Sequence, residues 1–152
     1  MRLGEGDAAL THFEEAVRLE PGRWAYQFNL AHALGEEGWW NRAAAHYRQA
    51  VQLWPDDPSG RYNLARALHE RGDYRGAVES YLEAITLAPD EPRFFFSIAR
   101  SYEVLNRPAD AMTAYIRHLG MEPESEQAEN IRRRMEELAK FVDSDAARLA
   151  GP

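Results

Sequence analysis

The sequence predicts an all-α solenoid, a stack of 34-residue helix–turn–helix units with a capping helix at the C-terminal end. Three observations carry that expectation. Proline recurs at Pro21, Pro55, Pro89 and Pro123, each 34 positions after the one before. A small residue and an aromatic keep the same period, in the columns Ala9, Ala43, Ala77, Ala111 and Phe13, Tyr47, Tyr81, Tyr115. A turn residue recurs as Gly38, Gly72 and Asn106, the residue types that take the left-handed conformation just past a helix end at least cost.

Each column has a physical reason. Helices that pack closely need small side chains where their backbones approach and large ones to fill the facing gaps, so alanine beside an aromatic at fixed spacing acts as a packing lock. A third small column, Ala16, Ala50 and Ala84, breaks at His118, where packing is expected to change. In the first helix of each unit Leu30, Leu64 and Ile98 align, as do Ala31, Ala65 and Ala99, then Leu34, Leu68 and Tyr102. One such hairpin cannot bury both of its apolar faces, and neighbouring copies supply the cover.

In chain order, residues 1–142 form the array. Residues 1–23 match the back half of a unit, with Gly4 in the turn position and a helix from Asp7 to Leu19 carrying Leu10, Phe13 and Val17. No partner helix precedes it, so its apolar face is expected to meet a second copy, or the array is a piece of a longer one. Residues 24–57 are the first full unit, with helices near Trp24–Glu37 and Asn41–Leu53. Residues 58–91 are the second. There Gly72 ends one helix, Asp73 opens the next by accepting from its free amides, and Pro89 closes the unit. In the third unit, residues 92–125, Pro108 replaces the aromatic after the turn and suits the first turn of a helix. Residues 126–142 read as an amphipathic capping helix, with Ile131, Met135, Leu138 and Val142 on one side. Residues 143–152 have little to bury and are expected to fray.

From about Gly4 to Pro123 this pattern resembles the tetratricopeptide repeat family. The resemblance implies a right-handed superhelix whose first helices line a concave wall that receives an extended peptide or a partner's helix. Carried over residue by residue, it places Phe28, Tyr62 and Phe96 in one wall column, Asn29, Asn63 and Ser97 in the next, and His32, Arg66 and Arg100 in a third. Arg93 follows Ala25 and Ser59 in a fourth. The chemistry is suitable. An Asn amide donates to and accepts from a peptide backbone, arginine pairs a carboxylate through two parallel bonds, and the rings offer apolar contact at low entropy cost. Chaperone-binding members grip a C-terminal carboxylate with a clamp of basic and Asn residues. Here Asn29, Asn63, Arg93 and Arg100 fit that pattern, but Phe28 stands where the first clamp lysine falls and Ser97 in the last arginine's column.

The resulting expectation is a non-catalytic binding module for a partner segment bearing acidic groups or a C-terminal carboxylate. The alternatives are a self-assembling module, or a regulatory piece of a larger protein. Trp40 stands where the repeat expects an aromatic and is assigned to packing. Trp39 in a turn and Trp54 before Pro55 depart from the pattern, and with Leu10, Phe13 and Val17 they make a candidate self-association face.

Composition narrows the function classes. With 45% hydrophobic and 28% charged residues the chain has the balance of a folded domain. No apolar run approaches the roughly 20 residues needed to span a bilayer, and the N-terminus lacks a secretory signal's apolar core, so a cytoplasmic location is the expectation. A net charge of −7 argues against nucleic acid, and the glutamates around Arg132, Arg133 and Arg134 offset that local basic run. No metal or cofactor is expected. There is no Cys, and His12 and His46 share a column, which separates them by roughly 20 Å for two helix layers. No HExxH, phosphate loop or nucleophile-elbow motif appears. Glu79 and Glu83 are assigned to solvated helix faces.

Overall fold

The computed structural model of the chain describes the backbone of residues 3–150 and the side chains of residues 8–142. Among the described residues there are eight α-helices and no strand: α1 (Leu3–Leu19), α2 (Trp24–Glu36), α3 (Trp40–Leu53), α4 (Pro58–Glu70), α5 (Tyr74–Leu87), α6 (Pro92–Val104), α7 (Pro108–Met121) and α8 (Ala128–Ala150). They fall into two compact units, Met1–Leu87 and Ala88–Pro152. In the first unit α2 packs on α3, α4 on α5, α1 on α2 and α3 on α4. In the second, α7 packs on both α6 and α8.

The periodic columns are the cores of both units. Ala31, Leu34, Ala43, Tyr47 and Ala50 are buried in the first hairpin, and Ala65, Leu68, Ala77, Tyr81 and Ala84 in the second. Phe94, Ile98, Ala99, Ala111, Tyr115 and Ile131 fill the second unit.

The turns share one construction. Gly38 and Gly72 have φ of 76° and 91°, and Asn106 has φ of 54°. The residue after each donates its N–H back across the helix end: Trp39 to the Leu34 carbonyl at 2.9 Å, Asp73 to Leu68 at 2.8 Å, Arg107 to Tyr102 at 2.9 Å. These acceptors are the aligned column Leu34, Leu68 and Tyr102, so burial and helix termination are set by the same residues. Helix starts are equally explicit. The Asp57 carboxylate accepts from the amides of Ser59 at 3.1 Å and Gly60 at 2.8 Å, and Asp73 accepts from Gly76 at 3.1 Å. Pro58, Pro92 and Pro108 occupy the first turn of their helices.

Three of the four recurring prolines do more than stop helices, because their carbonyls anchor side chains that follow. Pro21 accepts from Gln27 Nε2 at 3.0 Å, Pro55 from Arg61 Nε at 2.8 Å, and Pro123 from an Arg132 guanidinium nitrogen at 2.6 Å.

Two boundaries differ from the sequence reading. α1 begins at Leu3, so Gly4 lies within a helix and not in a turn. α8 continues past Val142 to Ala150, because residues 143–150 contain no helix breaker and are rich in alanine; residues 151–152 lie outside the described residues. The break at His118 is resolved by hydrogen bonding. Its ring is 3% exposed, Nδ1 donates to the Pro92 carbonyl at 2.9 Å, and Nε2 lies 3.3 Å from Ser125 Oγ.

Candidate functional site

In the first unit, α2 carries Phe28, Asn29 and His32, and α4 carries Tyr62, Asn63 and Arg66. In the second, α6 carries Arg93, Phe96 and Arg100. The ring column is half-buried at each position because each ring meets the aromatic of its own hairpin. Phe28 lies 5.4 Å from Tyr47, Tyr62 5.7 Å from Tyr81 and Phe96 6.1 Å from Tyr115. These residues therefore serve packing and present only part of a ring outward. Burial pushes the Tyr47 hydroxyl up to about 12, with the Arg66 cation pulling the other way.

The polar columns are committed to different degrees. Asn29 and His32 are exposed. Asn63 Nδ2 donates to the Ser59 carbonyl one turn back at 2.8 Å, which leaves its side-chain oxygen for a ligand. Arg66 reaches toward Glu36 at 3.8 Å, and its guanidinium carbon lies 5.7 Å from the Trp40 ring centroid, so α4 is tied to both α2 and α3. That half-buried Trp40 ring lies against the backbone at Gly35, where an added Cβ would stand 3.0 Å from Cζ3. Arg93 Nε donates to Glu91 at 2.7 Å. Arg100 is exposed and forms no ion pair with a described residue.

One further arginine continues a wall column, although the sequence reading counts it only in a local basic run. Arg134 on α8 stands 34 positions after Arg100, so the period carried one step further would have found it. Its guanidinium donates to Glu103 at 2.5 Å and to Glu137 at 2.7 Å. Those two bonds hold its pKa well above the ordinary arginine value. Glu103 also accepts from the Tyr115 hydroxyl at 2.5 Å. Burial first, and this bond next, push the Tyr115 pKa far up. Glu83 is likewise engaged by Arg61 rather than merely solvated.

The candidate self-association residues differ in exposure and in what covers them. Leu10 is 5% exposed, because α1 packs on α2, and so offers no open surface. Phe13 and Val17 are half-buried. Trp39 and Trp54 flank α3 at its opposite ends, roughly 21 Å apart for 14 residues at ~1.5 Å each. Trp39 is covered by Arg42, with the guanidinium carbon 5.2 Å from its centroid, and Trp54 meets Trp24 edge-on at 4.6 Å. Arg42 also pairs with Glu14 at 2.7 Å, a link from α3 to α1.

No group of three or more potential metal ligands exists among the described residues. His46 is bonded to Gln27 Oε1 at 2.8 Å, and burial, helped by the Arg42 charge and opposed by Glu14, lowers its pKa. No described helix is long and apolar enough to cross a membrane.

Comparison with known proteins agrees with this architecture. The tetratricopeptide repeat family model matches residues 1–58, 30–92 and 62–129. No curated protein sequence matches the chain. Among solved structures, a MamA protein superposes with TM-score 0.79 at 17% identity, covering 92% of this chain and 80% of that one. The Arabidopsis OM64 TPR domain gives TM-score 0.71 at 19% identity, over 75% and 94% of the two chains. The first TPR of Spaghetti (RPAP3), solved with the HSP90 peptide SRMEEVD, gives TM-score 0.72 at 17% identity, over 79% and 93%.

Proposed function

Because this chain belongs to the tetratricopeptide repeat family, whose members serve as protein–protein interaction scaffolds, we propose that it holds an extended segment of a partner protein against the exposed faces of its first helices. It does so without catalysis. On the first unit the surface is Phe28, Asn29, His32, Tyr62, Asn63 and Arg66; on the second it is Arg93, Phe96 and Arg100. The observation that carries this reading is a half-buried ring followed directly by an accessible polar side chain on each first helix, repeated at Phe28–Asn29 and Tyr62–Asn63. Rigid rings supply area, and an Asn whose amide is already placed supplies a fixed acceptor for a ligand N–H. Guanidiniums on the same faces favour acidic groups or a terminal carboxylate on the partner. The peptide in the RPAP3 structure, SRMEEVD, is acidic and supports that preference by analogy.

The test is titration calorimetry with peptides from a partner captured by the full chain. The Arg66→Ala, Arg100→Ala double variant is expected to bind at least about 10-fold more weakly, at roughly 1.5–3 kcal/mol per charged hydrogen bond lost. Unchanged affinity would remove these faces from consideration.

One observation favours self-association as a second reading. Ala9, Phe13 and Ala16 on α1 are half-buried, while the same columns at Ala43, Tyr47, Ala50 and at Ala77, Tyr81, Ala84 are fully buried. A helix from a second copy laid along that seam would complete the pattern. Light scattering over a concentration series should then show a species of twice the chain's mass, and a monomer throughout would eliminate the idea.

A further inference from the structure

In the second unit α6 carries Arg93 and Arg100, and Arg134 on α8 reaches α6 through Glu103; of these three, only Arg100 forms no ion pair with a described residue. Arg93 is engaged by Glu91 at 2.7 Å, with its guanidinium carbon 5.3 Å from the Phe94 centroid. Arg134 is held between Glu103 at 2.5 Å and Glu137 at 2.7 Å. Arg100 is exposed and has no ion-pair partner among the described residues, although its charge is felt at the Tyr115 hydroxyl.

One helical turn before Arg100, at Phe96, a hollow of about 200 Å³ opens at the N-terminal end of α6. Phe96 and His118 line it, their rings 5.7 Å apart, and Glu122 and Gln127 stand at its exposed rim. Its floor is fixed, since a carbonyl can only accept and the bond to Pro92 therefore places the proton on His118 Nδ1.

We infer that Arg100 and this hollow form one two-point site on α6. Arg100 takes a carboxylate of the partner segment, and a bulky apolar side chain of the same segment sits over Phe96 and His118. The inference rests on the wall reading above and sharpens it to a ligand pattern. Phe96 and Arg100 are separated by four residues, about 6 Å along a helix. Side chains on one face of an extended chain recur every second residue, about 6.6 Å. The ligand therefore pairs an acidic and a bulky apolar residue with one residue between them. A single carboxylate on an apolar body suits the site better than a polyanion does, since the chain's net charge of −7 repels dense negative charge.

The experiment is selection of a random phage-displayed peptide library on the full chain, followed by titration of the enriched peptides against wild type, Arg100→Gln, Arg66→Ala and Gln127→Trp. Arg100 and Gln127 are both exposed, and circular dichroism of each variant is the check that it stays helical. Enriched peptides should carry the acid–x–apolar pattern. Changing their acid to its amide should weaken binding to wild type about 10-fold and binding to Arg100→Gln hardly at all. Gln127→Trp, which plugs the hollow, should abolish the benefit of the apolar residue. Peptides that need no acid, or whose acid dependence survives Arg100→Gln, overturn the two-point site; if Arg66→Ala still weakens them, the wall reading stands. Peptides indifferent to every variant, or a selection that enriches nothing, overturn both.

Discussion

Tyr81→Ala is expected to destabilise the first unit by about 3–5 kcal/mol, the range for deleting a buried aromatic. Tyr81 is 2% exposed, lies 5.7 Å from the Tyr62 ring, and has Ala77 and Ala84, both fully buried, on its own helix face. The alanines let the helices approach closely enough that no neighbouring side chain can swing in to fill the void. Against a total stability of about 5–15 kcal/mol, such a loss moves the urea midpoint a long way. The control is its neighbour Leu82, which is 47% exposed on the same helix. Leu82→Ala should change stability by no more than about 0.5 kcal/mol. Similar effects at the two positions would mean that the small–aromatic lock does not hold the hairpin together.

Glu103→Ala carries the second large effect, expected at about 2–3 kcal/mol and located at α8. Glu103 is the only described residue that accepts from both Tyr115 on α7 and Arg134 on α8. Its side chain is 15% exposed, whereas that of Arg134 is 48% exposed. The exposed ion pair contributes modestly on its own. Most of the loss comes from the buried Tyr115 hydroxyl, left without its acceptor, for which about 1–3 kcal/mol is usual. Hydrogen exchange should speed up across residues 128–142 while α2 to α5 keep their protection. Uniform acceleration throughout the chain would show that Glu103 does not act as a local fastening for α8.

The fold was legible because one set of residues does two jobs. Leu34, Leu68 and Tyr102 are both core and turn acceptors, so the period that marks burial also marks where each helix ends. The family membership follows from the same columns. The boundaries were less legible where propensity, not a motif, decides: nothing in residues 143–150 forces a stop, and α8 runs on. The candidate site residues were legible as columns, but their neighbours were not. Columns named Arg66 and Arg100 as equals, yet Arg66 meets Glu36 and Trp40 while Arg100 stands clear, a difference set by neighbours that belong to other helices. Leu10 shows the same limit in reverse. Its column read as open, but α1 packs on α2 and Leu10 is 5% exposed.

The most direct measurement of the central claim is an amide shift map of the isotopically labelled chain, titrated with an enriched peptide. The largest shifts are expected around Phe28–His32, Tyr62–Arg66 and Arg93–Arg100, on the first helix of each hairpin. Shifts confined to α3, α5 and α7, with those three segments still, would contradict it.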